Sequence, residues 1–220
     1  MLRSVLLATA IVVSFFGPAP VAAGAAAEIS ADESLKMLVA GNQRYASGHL
    51  RHPHQTTGQR RKVVAGQHPL AAVLSCADSR VPPEIIFDEG LGDLFVTRVA
   101  GNTADNAVLG SLEYSAEHLH VPVIVVLGHT GCGAVAAAVE GGEIHDHVQG
   151  LVDALKPAVD KARSMSGDVK ANAVYANVDM IVDRLRTSEP TLGKLVREHK
   201  LRIVGAVYHL DTGKIDWVRH

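Results

Sequence analysis

Cross-linking can contribute little to this fold, because the 220 residues include only two cysteines. At most one disulfide is available, too few for a cysteine-stapled scaffold. Aromatic residues make up 4% of the chain, with a single tryptophan, so the core has to be aliphatic. Trp217, near the C-terminus, reads as a packing residue. Neither sign of charge dominates: 21 Lys and Arg face 23 Asp and Glu, for a formal net charge of −2. That balance offers no basic face to nucleic acid. The apolar run Val5 to Phe16 is shorter than the about 20 residues that cross a bilayer. There are no internal repeats and no composition shift that would mark a second domain. The length suits one domain with a sizeable core.

The first residues have the layout of a secretory signal peptide. Arg3 precedes the apolar run, the breakers Gly17, Pro18 and Pro20 follow, and then come Val21-Ala22-Ala23 and Ala25-Ala26-Ala27. Cleavage after Ala23 or after Ala27 fits. Removing residues 1–27 takes away one charge, Arg3, and leaves a mature chain 28–220 at −3. The expected location is periplasmic or secreted, with no stable membrane association after cleavage.

What remains is concentrated in two short motifs. Cys76-Ala77-Asp78-Ser79-Arg80 ends one apolar run, and His129-Thr130-Gly131-Cys132 ends another. Each cysteine stands beside a candidate partner ligand. Two thiolates and one imidazole suit a tetrahedral Zn²⁺ site, one ion per chain, whose fourth position stays open. A closed site needs a fourth fixed ligand, and the only carboxylate within either motif is Asp78. Asp78 either binds the metal or pairs with Arg80, whose planar guanidinium takes a carboxylate in bidentate fashion. Two thiolates put more negative charge on the metal than imidazoles do, so its water should be less acidic than in a three-histidine site. A disulfide in an oxidising compartment is the competing use of the two cysteines. It needs neither His129 nor Asp78-x-Arg80. The other histidines carry less: His145-Asp146-His147 reads as a polar surface loop, and His118 and His120 as residues flanking an apolar strand. Gly141-Gly142 reads as a helix end, and Arg60-Arg61-Lys62 as a solvated face.

The pattern along the chain is α/β. Ser30 and Glu33 form a capping box that opens a helix stopping near Gly41-Asn42. Residues 46–62 read as an arm or surface loop. Four apolar runs, Ala71 to Ser75, Leu94 to Val99, Val123 to Leu127 and Ile203 to Val207, read as buried strands. Helical patterns cover Asp105 to His118, Ala134 to Val139, 148–164 and 172–199, with Pro157 and Pro190 as breakers. Asp211-Thr212-Gly213 turns into a short last strand. The expected architecture is a central, mostly parallel sheet flanked by helices, with an N-terminal helical arm over 28–62 and a short C-terminal β-hairpin. In such a sheet the strand C-termini share one edge, where ligands bind. If the strands preceding Cys76 and His129 are neighbours, both motifs meet there.

The motifs Ser75-Cys76-Ala77-Asp78-Ser79-Arg80-Val81-Pro82 and Gly128-His129-Thr130-Gly131-Cys132-Gly133 resemble those of the beta-class carbonic anhydrases. Further matches are Gly41-Asn42-Gln43-Arg44-Tyr45, Leu94-Phe95-Val96-Thr97-Arg98 with Ala100-Gly101-Asn102, and Val207-Tyr208 ahead of Thr212-Gly213. The resemblance implies reversible hydration of CO₂ to bicarbonate and a proton through a zinc-bound hydroxide. It assigns zinc to Cys76, His129 and Cys132, with Asp78 as fourth ligand or as dyad partner of Arg80. It places substrate against Gln67, Phe95, Tyr114 and the backbone of Gly133. It implies a homodimer or homotetramer, with the pocket built across subunits and an N-terminal arm embracing the partner. Members with a non-catalytic bicarbonate site carry tryptophan where this chain has Val73, although Arg98 and Tyr208 resemble that site's other residues.

Other readings use the same residues differently. A hydrolase of CS₂ or COS would share the whole fold. A non-catalytic periplasmic zinc-binding protein would need no Asp78–Arg80 dyad and no Gln67. A redox module using Cys76 and Cys132 would need neither His129 nor Asp78.

Overall fold

In a computed structural model, the structure describes residues 29–142 and 145–219. The leader expected over 1–27 lies outside the described residues. Among those residues no helix is long and apolar enough to cross a membrane.

Five strands form one sheet: β1 (Ala71–Ser75), β2 (Leu94–Arg98), β3 (Val123–His129), β4 (Arg202–Tyr208) and β5 (Ile215–Arg219), in the order β2-β1-β3-β4-β5. The first four are parallel, and β5 pairs antiparallel with β4 as the C-terminal hairpin. Every residue of β1 and β3 is buried, which is why both read as unbroken apolar runs rather than alternating ones. β2, at the edge, keeps its apolar side chains only partly covered.

Among the described residues eight α-helices surround this sheet: α1 (Ala31–Ala46), α2 (Thr57–Lys62), α3 (Pro83–Ile86), α4 (Asn106–Glu117), α5 (Gly133–Glu140), α6 (Val148–Arg163), α7 (Val169–Arg186) and α8 (Leu192–Arg197). Their caps follow from sequence. Ser30 accepts from the Glu33 amide while Glu33 reaches back to Ser30, the capping box expected for α1. Asp105 caps α4 and Asp168 caps α7 through their side chains. Gly141, at φ +68°, ends α5.

Three elements depart from the sequence reading. The first helix does not stop at Gly41-Asn42 but runs to Ala46. Gly41 is there because a side chain would not fit: a Cβ would lie 1.8 Å from the Phe87 carbonyl oxygen. Asn42 donates to the carbonyls of Ile86 (3.2 Å) and Gly213 (2.9 Å) and accepts from the Ile215 amide (3.1 Å). These two residues, which look like a stop signal, seat α1 on α3 and on the hairpin. Pro157 does not break α6; it sits on the exposed face, where water takes the carbonyl it leaves unpaired. The pattern over 172–199 does divide at Pro190, the breaker expected there, into α7 and α8. Within 46–62 a short helix, α2, capped by Thr56, carries the exposed basic triplet in its last turn.

Gly41→Ala should therefore destabilise the chain, since the obstructing atom is backbone and cannot swing aside. Overpacking of this kind costs about 1–3 kcal/mol or more. Urea unfolding followed by circular dichroism measures it; an unchanged midpoint would show that α1 is not seated as described.

Candidate metal centre

β1 and β3 are neighbours, paired so that Ser75 lies beside Leu127. Cys76 follows β1 directly and His129 ends β3, so both emerge at the C-terminal edge of the sheet, on strands about 4.8 Å apart. The chain after His129 must then double back. Gly131, at φ +65°, adopts the left-handed conformation that makes this turn. Cys132 arrives as the N-cap residue of α5. The ligand atoms of Cys76, His129 and Cys132 all lie within 4.8 Å of one another, and all three residues are buried. Among the described residues this is the one group of three or more such side chains placed to hold a metal ion. His145-Asp146-His147 is exposed and outside it.

Each ligand is fixed by the backbone around it. His129 Nδ1 lies 3.0 Å from the Thr130 carbonyl oxygen, which can only accept, so Nδ1 carries the proton. The lone pair then belongs to Nε2, which is buried without any hydrogen-bond partner. A buried polar atom left unpaired beside two thiols has the environment of a metal ligand. Cys76 Sγ accepts from the amides of Gly101 (3.3 Å) and Asp78 (3.4 Å). Its thiol is held far below the usual range, first by the hydrogen bond with Cys132 and then by His129 and these amides, against the opposing effect of burial. The same contact with Cys76 pushes Cys132 up, helped by burial and resisted by the amides of Val135 and Ala134. One negative charge is thus easily held here and a second is costly. A divalent cation removes that cost, so the donor set fits a metal of thiolate and imidazole preference.

Asp78 stands beside this cluster rather than in it. Arg80 grips it in bidentate geometry, Nε to Oδ1 at 2.9 Å and Nη2 to Oδ2 at 2.7 Å, and the Arg80 amide adds a third bond at 2.9 Å. The guanidinium holds the Asp78 carboxyl well below the usual carboxylate range, so it is an acceptor only. Its Oδ2 remains 3.9 Å from His129 Nε2, at the mouth of the site. Arg98 secures the loop from behind, donating to the carbonyls of Cys76 and Asp78. Tyr208, the other residue of the resembled bicarbonate site, pairs its hydroxyl with that of Tyr45 at 3.0 Å.

The proposed substrate contacts fall elsewhere. Gly133 is exposed at the start of α5, next to Cys132. Gln67 is exposed ahead of β1. Phe95 and Tyr114 form an aromatic pair with centroids 6.1 Å apart, and Tyr114 is 47% exposed. Phe95 pairs with Ala72, four residues before Cys76 and hence about 13 Å along the strand from the ligands. A single chain does not bring Gln67, Phe95 and Tyr114 to its own metal centre. The sequence reading also passed over the Thr130 carbonyl and the Gly101 amide as parts of the centre. Backbone groups leave no mark in a sequence beyond the glycine that lets them approach.

The comparisons with known proteins agree with this geometry. The family model described as "Carbonic anhydrase" matches residues 71–215. Carbonic anhydrase 2 of Mycobacterium tuberculosis (strain CDC 1551 / Oshkosh) is 41% identical over 187 residues, covering 81% of this chain and 88% of that protein. The carbonic anhydrase of Mycolicibacterium smegmatis is 39% identical over 189 residues, covering 84% and 92%. Among solved structures, a tetrameric beta-carbonic anhydrase of Sordaria macrospora superposes with a TM-score of 0.67 at 25% identity, covering 84% of this chain and 96% of its own. The Coccomyxa beta-carbonic anhydrase, solved with acetazolamide, gives 0.67 at 26%, covering 84% and 86%. A family model over residues 71–215, relatives 39–41% identical over more than four-fifths of the chain, and beta-class neighbours of the same fold converge on one conclusion: the chain belongs to the carbonic anhydrase family, in its beta class.

Proposed function

We propose that this chain hydrates carbon dioxide reversibly to bicarbonate and a proton, using one zinc ion per chain held by Cys76, His129 and Cys132. The observation that carries the reading is the unpaired His129 Nε2 facing two buried cysteines, with Asp78 Oδ2 only 3.9 Å away. When bound, zinc supplies Lewis acidity that makes hydroxide available from water near neutral pH. The rest falls to the protein. The Thr130 carbonyl keeps the imidazole in the tautomer that leaves Nε2 free. Arg80 keeps Asp78 ionised and turned toward the mouth of the site. Asp78, able only to accept, takes a hydrogen bond from the attacking oxygen and so aims its lone pair at the carbon.

The substrate is small and uncharged, and it needs an apolar pocket. We assign Phe95, Tyr114 and Gln67 to that pocket, contributed by a second copy of the chain, with the Gly133 backbone from the first. Their distance from the ligands of their own chain supports this, as does the partly uncovered apolar face of β2. A homodimer, or a tetramer like that of the Sordaria macrospora relative, would supply the second copy. Residues 1–27 are read as a leader that exports the mature chain to the periplasm or beyond.

Three measurements test this. X-ray absorption on the zinc-loaded protein should show two sulfurs and one nitrogen, with Zn–S near 2.3 Å. Cys76→Ser and Cys132→Ser should each lose most of the metal; a spectrum without sulfur neighbours would overturn the ligand set. Stopped-flow CO₂ hydration should be fast in the parent and should fall by at least tenfold in Arg80→Ala, a change outside the ligands, with zinc content unchanged. Equal activity in the variant would remove the Asp78–Arg80 pair from the mechanism, and an inactive zinc-loaded parent would favour metal storage. Light scattering at assay concentration should give at least twice the mass of one chain. A fully active monomer would contradict the shared pocket.

A further inference from the structure

Helix α7 lies against the sheet with a face of Ala173, Val174, Ala176, Val178, Ile181 and Val182, all buried. One polar residue interrupts that face. Asn177 is 1% exposed, and a buried amide has to find partners or lose the energy of its hydration. Its Nδ2 donates to the Gly101 carbonyl at 2.9 Å, a contact across 76 residues of sequence. Gly101 is held left-handed at φ +71°, ψ 16° in the short turn after β2. A side chain there would press on Leu155 and Ala134, at 3.0 and 3.3 Å. The amide of the same Gly101 donates to Cys76 Sγ at 3.3 Å. The helix amide and the cysteine sulfur therefore grip one residue from its two ends. The carbonyl fixes how the turn sits, and the turn aims the N–H at the sulfur. No other donor to the Gly101 carbonyl is recorded among the described residues.

We propose that Asn177 is a positioning residue for the metal centre, acting through Gly101 on the Cys76 sulfur although it touches neither ligand nor substrate. A hydrogen bond to a coordinating thiolate withdraws charge from it, weakening its donation and leaving the metal a stronger Lewis acid. Without the Asn177 amide, the Gly101 carbonyl is left buried and unpaired, the turn shifts to find another partner, and the N–H loses its aim. Cys76 then becomes the more electron-rich of the two sulfurs. The idea rests on the zinc reading above, and its test separates the two.

Cobalt(II) replaces zinc and reports on its sulfur ligands through thiolate-to-metal charge-transfer absorption. The parent, titrated with cobalt, should show this band. Asn177→Leu keeps the number and branching of the side-chain heavy atoms without the donor. In it the band should move to longer wavelength and the pH profile of CO₂ hydration should move to higher pH. Asn177→Ala removes the donor without adding bulk and decides the matter if the leucine variant does not fold. Val182→Ala, on the same buried face but away from Gly101, lowers stability without these shifts. No charge-transfer band in the parent would overturn the metal reading itself. A band present in the parent and unmoved in the folded Asn177 variants, or moved equally by Val182→Ala, would overturn the positioning role alone.

Discussion

Cys76 and His129 meet because β1 and β3 are adjacent parallel strands whose register sets Ser75 beside Leu127. A slip of one residue would turn each side chain to the opposite face of the sheet. Both strands are buried along their whole length, so neither face can be given up to solvent, and that holds the register. Gly128 tightens it further: a Cβ there would come within 2.6 Å of Val178 on α7, so the helix rests directly on the strand just ahead of His129. The site's precision is inherited from an aliphatic core, which explains how a chain so poor in aromatic side chains can hold a demanding coordination geometry.

Two sulfurs that close together present an electrostatic problem that the surrounding backbone is arranged to meet. Amides of Gly101 and Asp78 point at Cys76, and the first amides of α5 point at Cys132. A helix N-terminus carries partial positive charge suited to a thiolate. Arg98 ties down the carbonyls of the Cys76 loop. These groups are fixed before any cation arrives and need no reorganisation when it does, the condition under which dipoles stabilise charge most effectively.

The strands and both metal motifs were legible in the sequence because each depends on local signals. A buried parallel strand reads as an unbroken Val, Leu and Ala run, and a ligand pair at fixed spacing reads as a motif. The misread elements are those where a residue's usual role was overridden by a distant neighbour. Gly41-Asn42 has the chemistry of a helix end, yet Phe87 and Gly213 use both residues to dock α1. Pro157 has the chemistry of a breaker, but it faces water, which supplies the missing partner. Gln67, Phe95 and Tyr114 were named from family resemblance, and the single chain leaves them far from its metal centre. Sheet register, rather than any local spacing, sets the distance between Phe95 and the metal motifs.

The centre is asymmetric in a way that bears on its chemistry. Its three candidate ligands are 4% exposed or less and each is pinned by backbone groups. The Asp78–Arg80 pair, in contrast, is at the surface, with the Arg80 side chain 56% exposed. An ion pair in contact with water gains little net energy over its separately hydrated members, and salt screens it. Bidentate geometry and the third bond from the Arg80 amide raise its worth without burying it. Asp78 is therefore held firmly enough to stay ionised and directed, with its Oδ2 3.9 Å from His129 Nε2. A rigid ligand set fixes what is bound. The exposed, arginine-held carboxylate at its mouth answers to water and salt instead.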